Sequence, residues 1–123
     1  MSSFNLAVIG FGNMGKIHYK AIVKNQNCFS PIVVEPVLDM LNGFEDVEHY
    51  TDIRSIPEKI LARLDGVIIS SPSAVHFEQS LLLLQKKIPL LVEKPLTNQL
   101  DKDLELINEA KRNNVLLKCG LIE

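Results

Sequence analysis

The sequence predicts a doubly wound α/β fold: a six-stranded, mainly parallel sheet with helices on both faces. Short apolar runs alternate with segments of helical periodicity along the 123 residues, which is typical of parallel strands joined by helical crossovers. The first apolar run leads directly into a glycine-rich turn. A content of 46% hydrophobic and 23% charged residues suits one globular domain with a core of its own.

The predicted strands follow one another at intervals that leave room for crossovers. They are Phe4–Ile9, Pro31–Glu35, Glu48–Thr51, Gly66–Ser70, Ile88–Glu93 and Val115–Cys119. Apolar residues also recur at spacings of three and four, which predicts helix faces that cover the sheet. These faces consist of Met14, Ile17 and Ala21, and of Ala74, Phe77, Leu81, Leu84 and Ile88.

Two further helices are predicted from the capping and charge patterns at their ends. Ser55-Ile56-Pro57-Glu58 has the form of a capping box, so a short helix should begin there. A last helix, near Leu100 to Arg112, has acidic residues in its first turn and basic residues in its last. Those charges oppose the helix dipole, and Asn113-Asn114 should end the helix.

Composition argues against several classes of partner. The formal charge of -2 and the absence of a long basic run give no footprint for nucleic acid or an anionic membrane surface. The longest unbroken apolar run, Leu81 to Leu84, is far short of the ~20 residues that span a bilayer. Cys28 and Cys119 form no C-x-x-C, and with no export signal they are expected to be reduced. The sequence therefore predicts a cytoplasmic protein with no metal site.

The glycine-rich turn, Gly10-Phe11-Gly12-Asn13-Met14-Gly15, follows a strand and opens a helix. In that context Gly10 permits a tight turn, Gly12 lets the backbone approach a pyrophosphate, and Gly15 lets the helix lie close to the strand. Free amides around Phe11 to Met14, together with the helix N-terminus, should face the anion. The turn thus predicts a dinucleotide site, the alternative being a glycine-rich turn without a ligand.

Glu35 ends the next strand, 35 − 15 = 20 residues after the third glycine. A carboxylate at this place accepts hydrogen bonds from the adenosine ribose hydroxyls and repels a 2′-phosphate. The next arginine in the sequence is Arg54, so the usual partner of a 2′-phosphate is not close by. NAD is therefore favoured over NADP, unless Glu35 is a solvated acid at a strand end.

Two more clusters follow the fourth and fifth strands. Ser70-Ser71-Pro72-Ser73 ends the fourth strand, with Ser71 or Ser73 as a candidate N-cap, and His76 lies in the first turn of the helix. Glu93-Lys94-Pro95 ends the fifth strand at the carboxyl edge, where open parallel sheets bind ligands. Taken separately, these residues could be a surface histidine and a solvated turn.

Together, the glycine turn, Glu35, Pro72, His76 and Glu93-Lys94-Pro95 resemble the nucleotide-binding half of the Gfo/Idh/MocA oxidoreductases, the glucose-fructose oxidoreductase and inositol dehydrogenase family. The resemblance runs through nearly the whole chain. It implies that residues 1–123 are a dinucleotide-binding Rossmann domain. It also implies that the family's second domain, which carries the acid/base pair and the oligomer interface, is absent from this chain.

The resemblance also implies roles for the later residues. Ser71, Pro72 and His76 would lie along the nicotinamide side of the cofactor, and His18 would pack structurally. Lys94 would be the catalytic residue, binding substrate and favouring the alkoxide that develops as hydride leaves a secondary alcohol. Glu93 would orient Lys94 and the nicotinamide ribose. We predict a cis peptide between Lys94 and Pro95.

The function predicted from this resemblance is that of an NAD-dependent oxidoreductase. Hydride would pass between nicotinamide and a secondary hydroxyl of a small sugar, cyclitol or nucleotide sugar, and the full-length protein would form a homo-oligomer. This chain alone would then be an inactive part, with an apolar surface around residues 115–123 where the second domain covers it. The alternative is a stand-alone NAD-binding sensor, which would have no use for Lys94; a methyltransferase of the same fold is less favoured.

Overall fold

The sheet of this protein, seen in a computed structural model that describes residues 3–120, has six parallel strands. They lie in the order β3-β2-β1-β4-β5-β6. The predicted fold class is confirmed, and each strand is shorter than predicted. The strands are β1 (Leu6–Ile9), β2 (Ile32–Val34), β3 (His49–Tyr50), β4 (Gly66–Ile69), β5 (Leu90–Val92) and β6 (Leu117–Cys119).

Four α-helices connect the strands. They are α1 (Asn13–Val23), α2 (Glu58–Leu61), α3 (His76–Gln85) and α4 (Leu100–Asn113). As predicted, α4 ends at Asn114, which adopts the left-handed conformation with φ 55°. None of the helices in residues 3–120 is long and apolar enough to cross a membrane.

The helices lie on opposite faces of the sheet because the chain crosses from β1 to β2 in one direction and from β4 to β5 in the other, and right-handed crossovers in opposite directions lie on opposite faces. Val8 of β1 packs on one side, in a cluster with Phe11, Ile22 of α1 and Val33 of β2. Ala7 and Ile9 pack on the other side, in the larger cluster that contains the buried residues of α2, α3 and α4. The sheet is therefore covered by α1 on one face and by α2 to α4 on the other.

The predicted core face of α1 is wrong. Ile17 is 57% exposed, Met14 and Ala21 are exposed as well, and the buried residues of the helix are Gly15 and Ile22. The reason is the glycine: a Cβ at Gly15 would fall well inside contact distance of the Gly10 carbonyl. That close approach fixes which side of α1 faces the sheet.

Two other local predictions need correction. Ser55 forms no capping box, because its hydroxyl donates to the Asp52 carbonyl oxygen within a 3₁₀ turn, while Glu58 pairs with Lys86. On α3, Leu84 is buried as predicted, and Phe77 and Leu81 pack against the core in part. Ala74 is exposed, however, and α3 instead buries His76 and Ser80, two polar residues.

The strand order creates a crevice at one place. From β1 the chain moves to β2 on one side, and from β4 it moves to β5 on the other, although β1 and β4 are paired neighbours. The direction in which the chain crosses the sheet therefore reverses between β1 and β4, and open α/β sheets bind their ligands at the carboxyl edge of such a switch point.

Candidate functional site

A cavity of about 690 Å³ lies at this crevice, which is within the size range of small-molecule sites. Its walls come from the turns after β1, β2, β3 and β4 and from one side of α3. The lining residues are Ile9, Gly10, Phe11, Gly12, Val34, Glu35, Pro36, Val37, Met40, Thr51, Asp52, Ile53, Arg54, Ser70, Ser71, Pro72, Val75, Glu78, Gln79 and Leu82.

Each glycine of the turn occupies the place that its predicted role requires. Gly10 has φ +89°, and a Cβ there would lie 2.5 Å from the backbone nitrogen of Ser71, so the turns after β1 and β4 pack backbone to backbone. Gly12 borders the cavity, and no heavy atom lies within 4 Å of its Cβ position. Gly15 packs against the Gly10 carbonyl. The turn is shaped to admit a ligand only at Gly12.

Glu35 is 7% exposed and faces the cavity, so it is not the solvated acid that we considered as an alternative. Both of its carboxylate oxygens accept backbone hydrogen bonds. The Phe11 amide donates to Oε1 at 2.7 Å, and the Val37 amide donates to Oε2 at 2.9 Å. Because a carboxylate has about four acceptor positions, each oxygen keeps capacity for a hydroxyl donor.

The Phe11 amide was expected to be free for an anion, and this expectation is wrong because that amide is bound to Glu35. The Phe11 side chain is fully buried in edge-to-face contact with Tyr19 and Phe44, at ring-centroid distances of 5.6 and 4.9 Å. Lys16 donates to the Phe11 carbonyl oxygen at 2.7 Å. The remaining amides near the N-terminus of α1 have no acceptor within the helix, so they stay suited to an anion.

Ser71 and Pro72 form the opposite wall, next to Gly10. Neither Ser71 nor Ser73 is an N-cap. The Ser71 hydroxyl donates to Oε1 of Gln79 at 2.5 Å, and Ser73 accepts from Asn98. No cap is needed from them, because a 3₁₀ turn over Ser73–Val75 precedes α3.

Arg54 also lines the cavity, together with Asp52 and Thr51 of the segment after β3. Its guanidinium lies 3.8 Å from the Asp52 carboxylate, and both side chains are exposed. The sequence interval between Glu35 and Arg54 suggested that this arginine was too far away. The parallel pairing of β2 and β3 brings it to the same cavity.

His76 is 1% exposed, so it is not a surface histidine, and it does not line the cavity. Its Nδ1 lies 2.9 Å from the Pro95 carbonyl oxygen and 3.2 Å from that of Leu96, while Nε2 lies 2.8 Å from that of Ser71. The ring therefore joins the turn after β4 to the turn after β5. The predicted contact of His76 with the cofactor stays a prediction; the structure shows the ring buried between these two turns.

Glu93, Lys94 and Pro95 lie outside the cavity, although they follow β5 at the same edge of the sheet. The Lys94–Pro95 peptide is cis, as predicted. Lys94 is exposed, and its aliphatic chain lies against Gly120. Glu93 accepts a hydrogen bond from Nε2 of His18, with the two atoms 2.5 Å apart.

The pKa of the Cys119 thiol, at the end of β6, depends on burial and on the charges around this turn. Desolvation raises the pKa of the thiol, and the carboxylates of Asp103 and Glu93 raise it further, whereas the Lys94 ammonium lowers it. Desolvation, with the smaller contribution of the two carboxylates, outweighs the effect of Lys94, so the raised pKa leaves the thiol less ionised at neutral pH than an ordinary cysteine.

Of the predicted site residues, the structure brings Gly10, Phe11, Gly12, Glu35, Ser71 and Pro72 to the cavity. It leaves Asn13, Met14, Gly15, His76, Glu93, Lys94 and Pro95 outside. Gln79 and Arg54 were not predicted as site residues. Their positions in the sequence could have indicated them, because Arg54 closely follows β3 and Gln79 lies one turn into the helix after β4.

A parallel sheet in this order, with a glycine turn after β1 and a carboxylate after β2, defines the Rossmann class of dinucleotide-binding folds. The sequence model of the Gfo/Idh/MocA family, described as "Oxidoreductase family, NAD-binding Rossmann fold", matches residues 4–121. The chain belongs to this oxidoreductase family.

Curated relatives include the rhizopine catabolism protein MocA of Rhizobium meliloti, 27% identical over 98% of this chain and 38% of that protein. Inositol 2-dehydrogenase 1 of Mycolicibacterium vanbaalenii is 30% identical over 99% of this chain and 37% of that protein. GenD2 from gentamicin A biosynthesis, solved in complex with NAD, has a TM-score of 0.83 at 23% identity, over 98% of this chain and 35% of that one. The chain thus spans a little over a third of the length of these proteins.

Proposed function

We propose that residues 1–123 form the NAD-binding domain of a Gfo/Idh/MocA oxidoreductase. The observation that carries this proposal is Glu35, a buried carboxylate held by two amides and facing a cavity that also contains Gly10 and Gly12. A ribose diol donates two hydrogen bonds side by side, which is what the free acceptor positions of Glu35 accommodate. The pyrophosphate would lie at Gly12 and the N-terminus of α1.

NAD is the preferred cofactor in this proposal. A 2′-phosphate next to Glu35 would bring two anionic groups together in a mostly enclosed place, which is unfavourable. Arg54 could compensate for part of that repulsion, but it is exposed and already lies near Asp52. We therefore expect a moderate preference for NAD over NADP.

The proposed reaction is hydride transfer between nicotinamide and a secondary hydroxyl of a sugar, cyclitol or nucleotide sugar. Relatives named as inositol dehydrogenases support this substrate class, as does a UDP-N-acetylglucosamine 3-dehydrogenase. Bound NAD supplies the hydride acceptor. The chain's own contribution would be Lys94, whose exposed ammonium can bind the substrate hydroxyl and stabilise the charge that develops on its oxygen.

The substrate pocket would be completed by a further domain. On α4, Leu100 is 73% exposed and Leu104 and Ile107 share its face, while Leu116 is 59% exposed before β6. These exposed side chains form an apolar surface in which Leu116 falls within the predicted range 115–123 and the α4 residues precede it; residues 121–123 lie outside the described residues. Such a surface is suited to burial against another domain, and the greater length of the relatives supports the same view.

The test is calorimetric titration of the 123-residue chain with NAD and NADP. NAD should bind about tenfold more tightly, or ~1.4 kcal/mol, and Glu35→Ala should narrow that gap. Glu105→Ala, which removes an exposed acid on α4, is the control for net charge. Equal affinities in the unmodified chain would contradict the role of Glu35.

Turnover provides a second test. Incubation with NAD and a panel of polyols, sugars and nucleotide sugars should give no sustained rise in reduced-cofactor absorbance with this chain alone, because substrate positioning is missing. A longer version with the length of the relatives should turn over, and Lys94→Ala should abolish that activity. Sustained turnover by the 123 residues would show that no further domain is needed.

A further inference from the structure

His18 and Glu93 are 75 positions apart in sequence, and their side chains meet across the carboxyl edge of the sheet. The interval between Nε2 and Oε2 is 2.5 Å, and the exposed fractions of the two side chains are 14% and 21%. A short contact between partly buried groups of this kind is a strong, charge-assisted hydrogen bond. The predicted role of His18 was packing within α1, and that role does not explain a polar contact of this quality.

The location of the pair follows from the alternation of strand residues. Val92 of β5 packs in the cluster on the α2–α4 face, so the side chain of the next residue, Glu93, points to the α1 face. His18 lies on α1 between the buried residues Gly15 and Ile22, on the side that faces the sheet. The contact therefore ties the helix that follows the glycine turn to the turn that carries Lys94.

Only one oxygen of Glu93 takes part in this contact. Within residues 3–120, Oε2 is held by His18, whereas Oε1 accepts no hydrogen bond from the protein. Glu35 shows the same principle in the cavity, where amides hold the carboxylate and leave acceptor capacity for a ligand. A carboxylate fixed on one side and free on the other is pre-organised for a donor, because less side-chain freedom is lost on binding.

We infer that His18 is a positioning residue that holds Glu93 to accept a hydroxyl from the nicotinamide half of the bound dinucleotide. This inference rests on the proposed function. The adenosine half would bind in the cavity at Glu35. The His18–Glu93 pair lies on the other side of β4 from that cavity, at the end of β5. His18 acts through Glu93, and it touches neither the cavity nor the reacting atoms.

The test compares two ligands that differ in the nicotinamide half. Calorimetry of the 123-residue chain is done with NAD and with ADP, which has the adenosine and pyrophosphate but no nicotinamide riboside. His18→Leu removes the hydrogen bond, and His18→Gln keeps an N–H donor at nearly the same reach. We expect His18→Leu to weaken NAD about tenfold and ADP less than about twofold, with His18→Gln restoring most of the NAD affinity.

Other outcomes would distinguish a positioning role of His18 from a packing role. An equal loss for NAD and ADP in His18→Leu, or a His18→Gln chain that is as poor as His18→Leu, would overturn the inference and leave only a packing role. Unchanged affinities for both ligands would overturn it as well. If the unmodified chain binds neither ligand, the proposed function itself fails, and the inference fails with it.

Discussion

The carboxyl edge of the sheet has an enclosed region and an open one. The enclosed region is the cavity between the turns after β1, β2 and β4, where Glu35 is fixed by amides from two separate segments. The open region is the Glu93-Lys94-Pro95 turn after β5, where Lys94 is exposed and lies outside the cavity. The two regions thus differ in burial: the carboxylate of the first is fixed inside the protein, whereas the lysine of the second is exposed to solvent.

The difference shows what each region depends on. The enclosed region is built from backbone packing, since Gly10 and Ser71 approach each other without side chains between them. The open region is held by side chains, namely the His18–Glu93 pair and the three carbonyl contacts of His76. Substitutions at the glycines packed against backbone in the first region should therefore affect folding, whereas substitutions of the side chains in the second should affect ligand positioning.

The largest effect is expected for Gly15→Ala. The new Cβ would overlap the Gly10 carbonyl oxygen, which is backbone and cannot turn aside, so α1 must shift away from β1. We expect a loss of about 3 kcal/mol or more in the free energy of unfolding, measured by urea denaturation. Undiminished stability would mean that α1 does not need this close approach.

Gly12→Ala is the matched control. Gly12 has φ -77° and is the N-cap of α1, and its Cβ position has no heavy atom within 4 Å, so stability should fall by only about 1 kcal/mol, the usual cost of alanine at an N-cap. The same methyl group would occupy the space next to the pyrophosphate, so affinity for NAD should fall about tenfold or more. If Gly12→Ala loses as much stability as Gly15→Ala, the separation between folding and binding at this turn is wrong.

An effect of intermediate size is expected on the relative affinities for NAD and NADP. In a Glu35→Ala background, NADP binding should depend on Arg54, because this guanidinium borders the same cavity and no carboxylate at position 35 repels the 2′-phosphate. Adding Arg54→Ala should then weaken NADP about threefold and leave NAD nearly unchanged. Titration of both cofactors into the single and double variants measures this. A parallel loss for NAD would indicate a contact with the shared adenosine instead.

A smaller effect is expected on the pKa of Cys119, which depends on the charges of the open region. Since the Lys94 ammonium lowers the pKa of Cys119, Lys94→Gln should raise that pKa, reduce the thiolate fraction at pH 8 and slow alkylation about twofold. Glu93 acts in the opposite direction, so Glu93→Gln should speed the reaction. Mass spectrometry can follow Cys119 with Cys28 as the internal reference. Changes of the same sign would contradict this charge arrangement.

An effect on stability alone is expected away from both regions. The hydroxyl of Ser80 in α3 is fully buried and has no hydrogen-bond partner within the described residues. An unpaired buried hydroxyl costs free energy, so Ser80→Ala should raise the free energy of unfolding by about 1 kcal/mol and leave NAD affinity unchanged. A lower stability would reveal a partner for the hydroxyl that the native fold supplies.

The sequence was sufficient for the fold and for the close packing of the glycine turn beside Glu35. Alternating strands and helices predicted the sheet, and glycine spacing with Glu35 predicted the turn, because these depend on local backbone requirements. It was insufficient where the answer depends on distant contacts. Arg54 reaches the cavity only through the pairing of β2 with β3, and His18 finds Glu93 only when α1 lies across the sheet.

Two errors show how tertiary packing overrides a local pattern. Met14, Ile17 and Ala21 have correct helical spacing, but the requirement of Gly15 for the sheet side turns that face outward. Ser55 and Glu58 have the spacing of a capping box, but the hydroxyl is bound to Asp52. In both cases a stronger contact nearby decided the outcome.

The burial of Phe11 has a consequence for the thermodynamics of binding. Its ring is fixed between Tyr19 and Phe44, so the backbone of the glycine turn is anchored by packing within the protein itself. Association then requires little loss of chain entropy. Cofactor binding should accordingly show a negative heat-capacity change that reflects apolar surface covered by the adenosine, without the larger contribution of a segment that folds on binding.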